Sequence, residues 1–216
     1  MERFANLIKN REPLVENIIG FADGMKVKVQ CSECEEQQSL FFNDYDGDTV
    51  INNVFCFSPE GKVIFAAVNF PGSWHDSQVA IDLAQLILET EFAIAVDQGF
   101  PRSGLMYGRF VGPMSRRQRS NISPIVQDCV EEEHALYISL RQAAEWGMRS
   151  LEGTFCRLKT RLTSDSKNRR RYLESIVLLH NFRAVTMSIN QIKAVFGEDY
   201  QNVINIDGYD KIGRYF

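Results

Sequence analysis

Apolar and polar residues change their spacing several times along this chain, and each change marks an expected element. Residues 1–17 read as a short helix or arm ending in the polar stretch around Pro13. In 18–30, IIGFADGMKVKVQ, Met25, Val27 and Val29 alternate with Lys26 and Lys28, the period of a strand with one buried face. The acidic, turn-rich segment 31–48 reads as a loop. Two β-rich runs, TVINNVFCFS and KVIFAAVNF, flank Pro-Glu-Gly and predict a hairpin. The run DSQVAIDLAQLILETE (76–91) then takes helical spacing, with Val79, Leu83, Leu86 and Ile87 on one face. FAIAVDQGF (92–100) is a short apolar strand that stops at Asp97, and 101–134 is expected to be irregular. Leu136, Leu140, Ala144, Met148, Leu151, Phe155, Leu158 and Leu162 step by three or four and predict a long helix. A second, over 170–196, carries Ile176, Val177, His180, Ala184 and Ile189. The order strand, hairpin, helix, strand, helix, helix specifies an α/β or α+β domain with a mixed sheet.

Composition adds bounds to this picture. At 216 residues and 44% hydrophobic content the chain suits one domain with short extensions. It holds no apolar run of 18 residues, and the first twenty lack a signal-peptide core, so neither a membrane span nor secretion is expected. The net charge of −4 hides an asymmetry: residues 1–100 hold 6 Lys/Arg against 16 Asp/Glu, residues 101–193 hold 16 against 8. The basic middle contains SRRQRS (115–120) and KNRRR (167–171), which read either as phosphate contacts or as a solvated charged surface. Five cysteines do not form a secreted disulfide framework. Cys31 and Cys34 make a lone Cys-x-x-Cys, a weak zinc signal, and Cys56, Cys129 and Cys156 are expected as small core residues.

The acidic residues carry the candidate chemistry. Asp23 lies in the first strand, Asp97 ends the buried strand, and Asp76 follows His75 in the turn PGSWHD before the first inner helix. Glu145 and Glu152 share one flank of the long helix, seven residues and about 10.5 Å apart. Carboxylates converging at a sheet edge are what two-metal phosphoryl transfer needs, since hard divalent ions take oxygen ligands. Each has a bland alternative: Asp23-Gly24 and Asp97-Gln98-Gly99 as turns, Asp76 as a helix cap, Glu145 paired with Arg141 and Arg149, Glu152 paired with Arg149.

The segments GFADGMKV, FSPEGKVIFAAVNFPGSWHDSQVA, AVDQGFP, RQAAEWGMRSLEGTFCRLKTRL and IVLLHNFRA occur in the order of the catalytic domain of PIF/Harbinger-type DDE transposases, DDE superfamily endonucleases, which the chain resembles over about residues 18–193. The resemblance implies an α/β fold of RNase H-like type, a mixed sheet flanked by helices, with acidic residues binding two Mg²⁺ or Mn²⁺ for DNA strand cleavage. It matches Asp23 and Asp97 to the first two catalytic acids and His75 and Asp76 to the His-Asp turn, Asp76 being an accessory metal ligand or a group behind the ligands and His75 an orienting group. The third acid is Glu145, with 47 residues between it and Asp97, or Glu152 if Glu-x-x-Phe-x-x-Leu-Lys sets the register; the run around Glu-Trp-Gly-Met favours Glu145. Arg116, Arg117, Arg119, Lys159, Arg169, Arg170 and Arg171 are the candidate DNA contacts.

Two departures accompany the match. FFNDYDGDTV stands where many relatives carry Tyr-Asn-Gly-Trp, which puts the function of that loop in doubt, and no DNA-reading helix-turn-helix precedes the first catalytic strand. The resemblance then implies a separate Myb-like DNA-binding partner, or a truncated, inactive copy kept as a DNA- or protein-binding module. The expected organisation is an arm (1–17), an endonuclease domain (18–193) and a tail (194–216). The expected compartment is the nucleus, with the cytoplasm as the alternative.

Overall fold

The computed structural model describes residues 1–187 and 190–197, so Ile189 and most of the expected tail, 198–216, lie outside the described residues. Helix α1 (Glu2–Arg11) leads into β1 (Ile18–Lys28), then α2 (Glu35–Phe41) and β2 (Phe42–Asn43). The hairpin β3 (Asp48–Phe57) and β4 (Val63–Pro71) is followed by α3 (Asp76–Val79), α4 (Ile81–Leu88) and β5 (Ala93–Ala95). β6 (Phe110–Val111), α5 (Arg116–Ser120), α6 (Gln127–Thr154), α7 (Ser166–Thr186) and α8 (Gln191–Phe196) complete the order.

The six described strands make one mixed sheet. β3 lies between β1 and β4, antiparallel to both, and β2 extends the end of β3. β5 runs parallel to β1 and β6 parallel to β5, giving the order β4-β3-β1-β5-β6 of an RNase H-like arrangement. Period-two alternation divides the core between the two faces. Phe21, Met25, Val27, Ile51, Phe55, Phe57 and Ala95 pack against α6, α7 and α8 on one side. Ala22, Val54, Cys56, Ile94 and Val96 pack against α3 and α4 on the other. Gly147 lets α6 lie close to the sheet, since a methyl group there would come 2.6 Å from the Phe57 ring.

The structure corrects several expected boundaries. The 31–48 segment contains α2 and β2; α2 buries no side chain, so no hydrophobic pattern betrays it, while Glu35 and Glu36 favour its N-terminus. The inner helix bends at buried Ala80 into α3 and α4. The stretch 101–134 holds β6 and α5, the latter capped reciprocally by Ser115 and Gln118, as Ser-x-x-Gln allows. α6 starts at Gln127, ahead of its apolar stripe, and stops at Thr154 beyond Gly153. Leu158 and Leu162 keep helical spacing but are buried from a short 3₁₀ turn and a bridge to Val29. The second long helix breaks into α7 and α8 because Asn190 caps α8 with its side-chain oxygen and donates its amide to Gly61 O. Cys56 is buried, whereas Cys129 and Cys156 are exposed, Cys129 on the solvent-facing start of α6 and Cys156 on the turn after it.

Arg169, expected on the DNA surface, is a core residue with 1% of its surface exposed. Its Nε donates to Asn69 Oδ1 (2.9 Å), its Nη1 to the carbonyls of Thr163 and Ser164 (3.1 and 2.7 Å), and its guanidinium lies over the Phe41 ring. Asn69, at a φ of 67°, in turn donates its side-chain amide to Ser166. Arg169 thus ties β4 to the start of α7. Arg169→Ala is expected to lose about 2–4 kcal/mol in urea denaturation, because a buried side chain and its three hydrogen bonds to part-buried acceptors are removed together. Arg171→Ala, on an exposed position, is expected to stay within about 0.5 kcal/mol.

Candidate active site

Asp23 and Asp97 come together through the parallel pairing of β1 and β5. Phe21 pairs with Ala95. Two residues further on, each chain segment carries an aspartate, on the same face of the sheet as the paired residues and on the side covered by α6. The carboxylates therefore come from neighbouring segments, near enough for the charge of Asp97 to act on Asp23. Asp23 accepts a hydrogen bond from the Gly24 N–H (2.8 Å), and Asp97 accepts one from the Gly99 N–H (2.8 Å).

The electrostatics of this pair are strained. Burial pushes the Asp23 carboxyl from its ordinary value near 3.8 up to about 6. The Gly24 hydrogen bond pulls it back, repulsion from Asp97 and Asp76 pushes it up, and Arg141 on α6 pulls it down. Such a shift is the mark of a carboxylate held where its charge is costly.

Asp76 reaches the same end of the sheet from the opposite face. It opens α3, and its carboxylate lies against Gly24, where an added methyl group would come 2.5 Å from Oδ2. Gly24 is therefore required for the approach of Asp76, a role beyond the turn that the sequence suggests. Asn52 on β3, fully buried, donates its amide to Asp76 Oδ1 (2.7 Å) and to Trp74 O (2.9 Å). A methyl group at Gly99 would sit 3.1 Å from Asp97 Oδ1 and 3.7 Å from Asp76 Oδ2, so these two acids flank one point. His75 is exposed and serves as N-cap residue of α3, its backbone N–H donating to Gln78 Oε1 (3.0 Å).

On α6, Arg141 is the side chain whose charge acts on Asp23, and Glu145 lies one turn beyond it. Glu145 is bound by Arg141 (3.1 Å) and Arg149 (3.7 Å) on its own helix. Glu152 stands eleven residues past Arg141, about 16 Å along the axis, on the part of α6 that leads away from Asp23. Among the described residues, no three carboxylate, imidazole or thiol groups are gathered tightly enough to hold an ion as they stand. The donors of Asp23, Asp76 and Asp97 are nonetheless the hard oxygens that Mg²⁺ and Mn²⁺ take.

Of the basic candidates, Arg116, Arg117 and Arg119 are exposed on α5. The segment leading to α5 is held beside Asp97, since Gln98 donates to Met114 O (3.2 Å) and Arg102 to the Gly112 and Pro113 carbonyls. Lys159, Arg170 and Arg171 are exposed as well, Arg170 in an ion pair with Glu174 (2.9 Å). Asn52 is the site residue that sequence reasoning misses. Its signal is present, two asparagines interrupting the apolar run TVINNVFCF, but the partner depends on a turn 24 residues away.

No described helix is long and apolar enough to cross a membrane. No curated protein and no solved structure matches the chain. Residues 22–181 match the model of one family, described as DDE superfamily endonuclease. That span includes all four acids of the site and Glu152, and it runs from within β1 to the last turns of α7. The chain belongs to the DDE superfamily endonucleases.

Proposed function

We propose that the chain is the catalytic domain of a transposase of PIF/Harbinger type, which cleaves DNA phosphodiesters with two divalent cations held by Asp23, Asp97 and Glu145. The observation that carries this reading is the placement of Asp23 and Asp97 on adjacent parallel segments, on the face covered by α6, with the Asp23 carboxyl pushed up to about 6. Mg²⁺ or Mn²⁺ bound there would activate water or a DNA 3′-hydroxyl for in-line attack and neutralise charge on the leaving oxygen. The chain's own groups prepare that site. Asn52 fixes Asp76 behind Gly24, and Asp76 keeps the end of β1 electronegative from the far face. Arg116, Arg117 and Arg119, with Lys159, Arg170 and Arg171, would position DNA by its phosphates without reading sequence. Sequence reading would fall to a separate Myb-like protein, and the nucleus is the compartment that goes with this reading.

A second reading, an inactive transposase-derived binding module, draws on one observation: Glu145 is engaged by two arginines. Site-directed variants separate the two. Glu145→Gln is expected to lose metal-dependent plasmid nicking by roughly 10²–10³-fold, the scale of removing one strong stabiliser of transition-state charge. Glu152→Gln should keep most of it, because a helix-surface acid contributes only about 0.2–0.5 kcal/mol through its neighbours. The reverse outcome would transfer the role to Glu152. A wild-type protein that binds DNA and never nicks it would establish the module instead.

A further inference from the structure

Two stretches meet beside the carboxylates. One is FFNDYDGDTV, the departure from the family pattern, and the other is the turn PGSWHD. Between them runs a cleft of about 460 Å³, lined by Phe42 and Tyr45 from the first stretch, by Trp74, His75 and Asp76 from the second, and by Gly99. Asp97 Oδ1 approaches the same Gly99, so the cleft adjoins one acid of the proposed metal site.

Its walls are tied in place. The Asn43 amide donates to Gly72 O, and the Ser73 hydroxyl donates to Leu40 O (3.0 Å). Gly72 allows the two segments to touch, since a methyl group there would collide with the Val50 and Phe41 carbonyls. Asn43 Oδ1 also accepts from the N–H groups of Tyr45 and Asp46 (both 3.1 Å), which turns Tyr45 outward. Tyr45 is 94% exposed, with Lys26 over its ring, while Trp74 packs one side against Phe70 and is part-exposed. Aromatic faces left open in this way bury apolar area only when something planar stacks on them.

The charge around the cleft selects the occupant. Asp44 and Asp76 line it, and the lysine on its wall, Lys26, already pairs with Asp46 at 2.7 Å. A phosphate would be repelled, whereas a neutral ring with amino donors would be accepted. We propose that this cleft is a base-stacking subsite, taking one unpaired nucleobase of the DNA strand adjacent to the phosphate being cut. This rests on the DNA-cleaving reading above. A base in a duplex has no free face, so the occupant must be extruded or single-stranded.

The test uses three 20-bp duplexes: fully paired, with one unpaired 2-aminopurine, and with an abasic residue in its place. Affinity is measured by anisotropy in Ca²⁺, and stacking by quenching of 2-aminopurine fluorescence. The wild type is expected to bind the unpaired base about 10-fold more tightly than the abasic site, with quenching. Tyr45→Ala and Trp74→Ala should each erase most of that preference and leave affinity for the paired duplex unchanged, while Trp74→Phe should retain it. Circular dichroism confirms folding, and Tyr45, being exposed, can be removed without disturbing the core. Equal affinity for the unpaired-base and abasic duplexes in the wild type would overturn the subsite alone and leave the cleft to an aromatic side chain of a protein partner. Equal losses on all three duplexes in the alanine variants would also overturn it. Failure to bind any DNA would overturn the cleavage reading itself.

Discussion

Asp97→Asn is expected to abolish divalent-dependent nicking of supercoiled DNA, by roughly 10²–10³-fold or more, while the protein remains folded. Asp97 follows a strand flanked by β1 and β6, and the hydrogen bond from the Gly99 N–H to its Oδ1 can be accepted equally by an asparagine oxygen. The substitution therefore removes a negative charge and almost no volume. Charge is what a hard divalent ion requires of this residue, and the loss falls on the reaction rather than the fold. The wild type should nick in Mg²⁺ or Mn²⁺ and not in Ca²⁺, whose longer bonds and looser geometry replace the octahedral ion poorly. Activity equal to wild type in the variant, at equal circular dichroism, would point to a different site.

Asp23→Asn should be inactive and, unusually, more stable than the wild type at neutral pH. The sign follows from linkage. Asp23 has its carboxyl raised from about 3.8 to about 6 in the folded protein, so the native state holds the proton more tightly than the unfolded chain between those pH values. Below pH 4 both states are protonated and ionisation costs nothing. Stability then falls as pH rises through 4–6, and above about 6 the full penalty is present. Two pKa units correspond to at most about 3 kcal/mol, and partial solvent access reduces this to about 1–3 kcal/mol. Urea denaturation in EDTA at pH 4 and pH 8 is expected to show the variant's gain only at pH 8. A gain of the same size at pH 4 would mean that charge is not the cause. A protein whose stability improves when a reactive group is neutralised has placed that group for chemistry.

The strands are legible in the sequence because the second half of β1 alternates and the β3–β4 hairpin is two β-rich runs around Pro-Glu-Gly, and Asp23 and Asp97 stand out as acids set in apolar runs. Their adjacency is not legible. The pairing of β1 with β5 joins residues more than seventy positions apart, and nothing local encodes it. Asp76 shows the same limit in another form: the sequence puts it at a helix start near the metal end, but its approach from the far face depends on Gly24 and Asn52. Arg169 departs from expectation for a different reason. In KNRRR the three arginines look alike, yet 169 steps by four, three and four to Leu173, Ile176 and His180, all buried on α7. Composition groups Arg169 with the surface charges, whereas the helix period that identifies the core assigns it to the buried stripe.

The claim that Asp23 and Asp97 hold the metal is tested most directly by anomalous scattering from crystals soaked in Mn²⁺. The account predicts a peak with carboxylate oxygens of both residues at about 2.0–2.2 Å, the range expected for a tight octahedral ion, and with Glu145 turned from its arginines toward the same ion. A manganese peak that forms elsewhere, or density at Asp23 and Asp97 that contains no metal at saturating Mn²⁺, would contradict it.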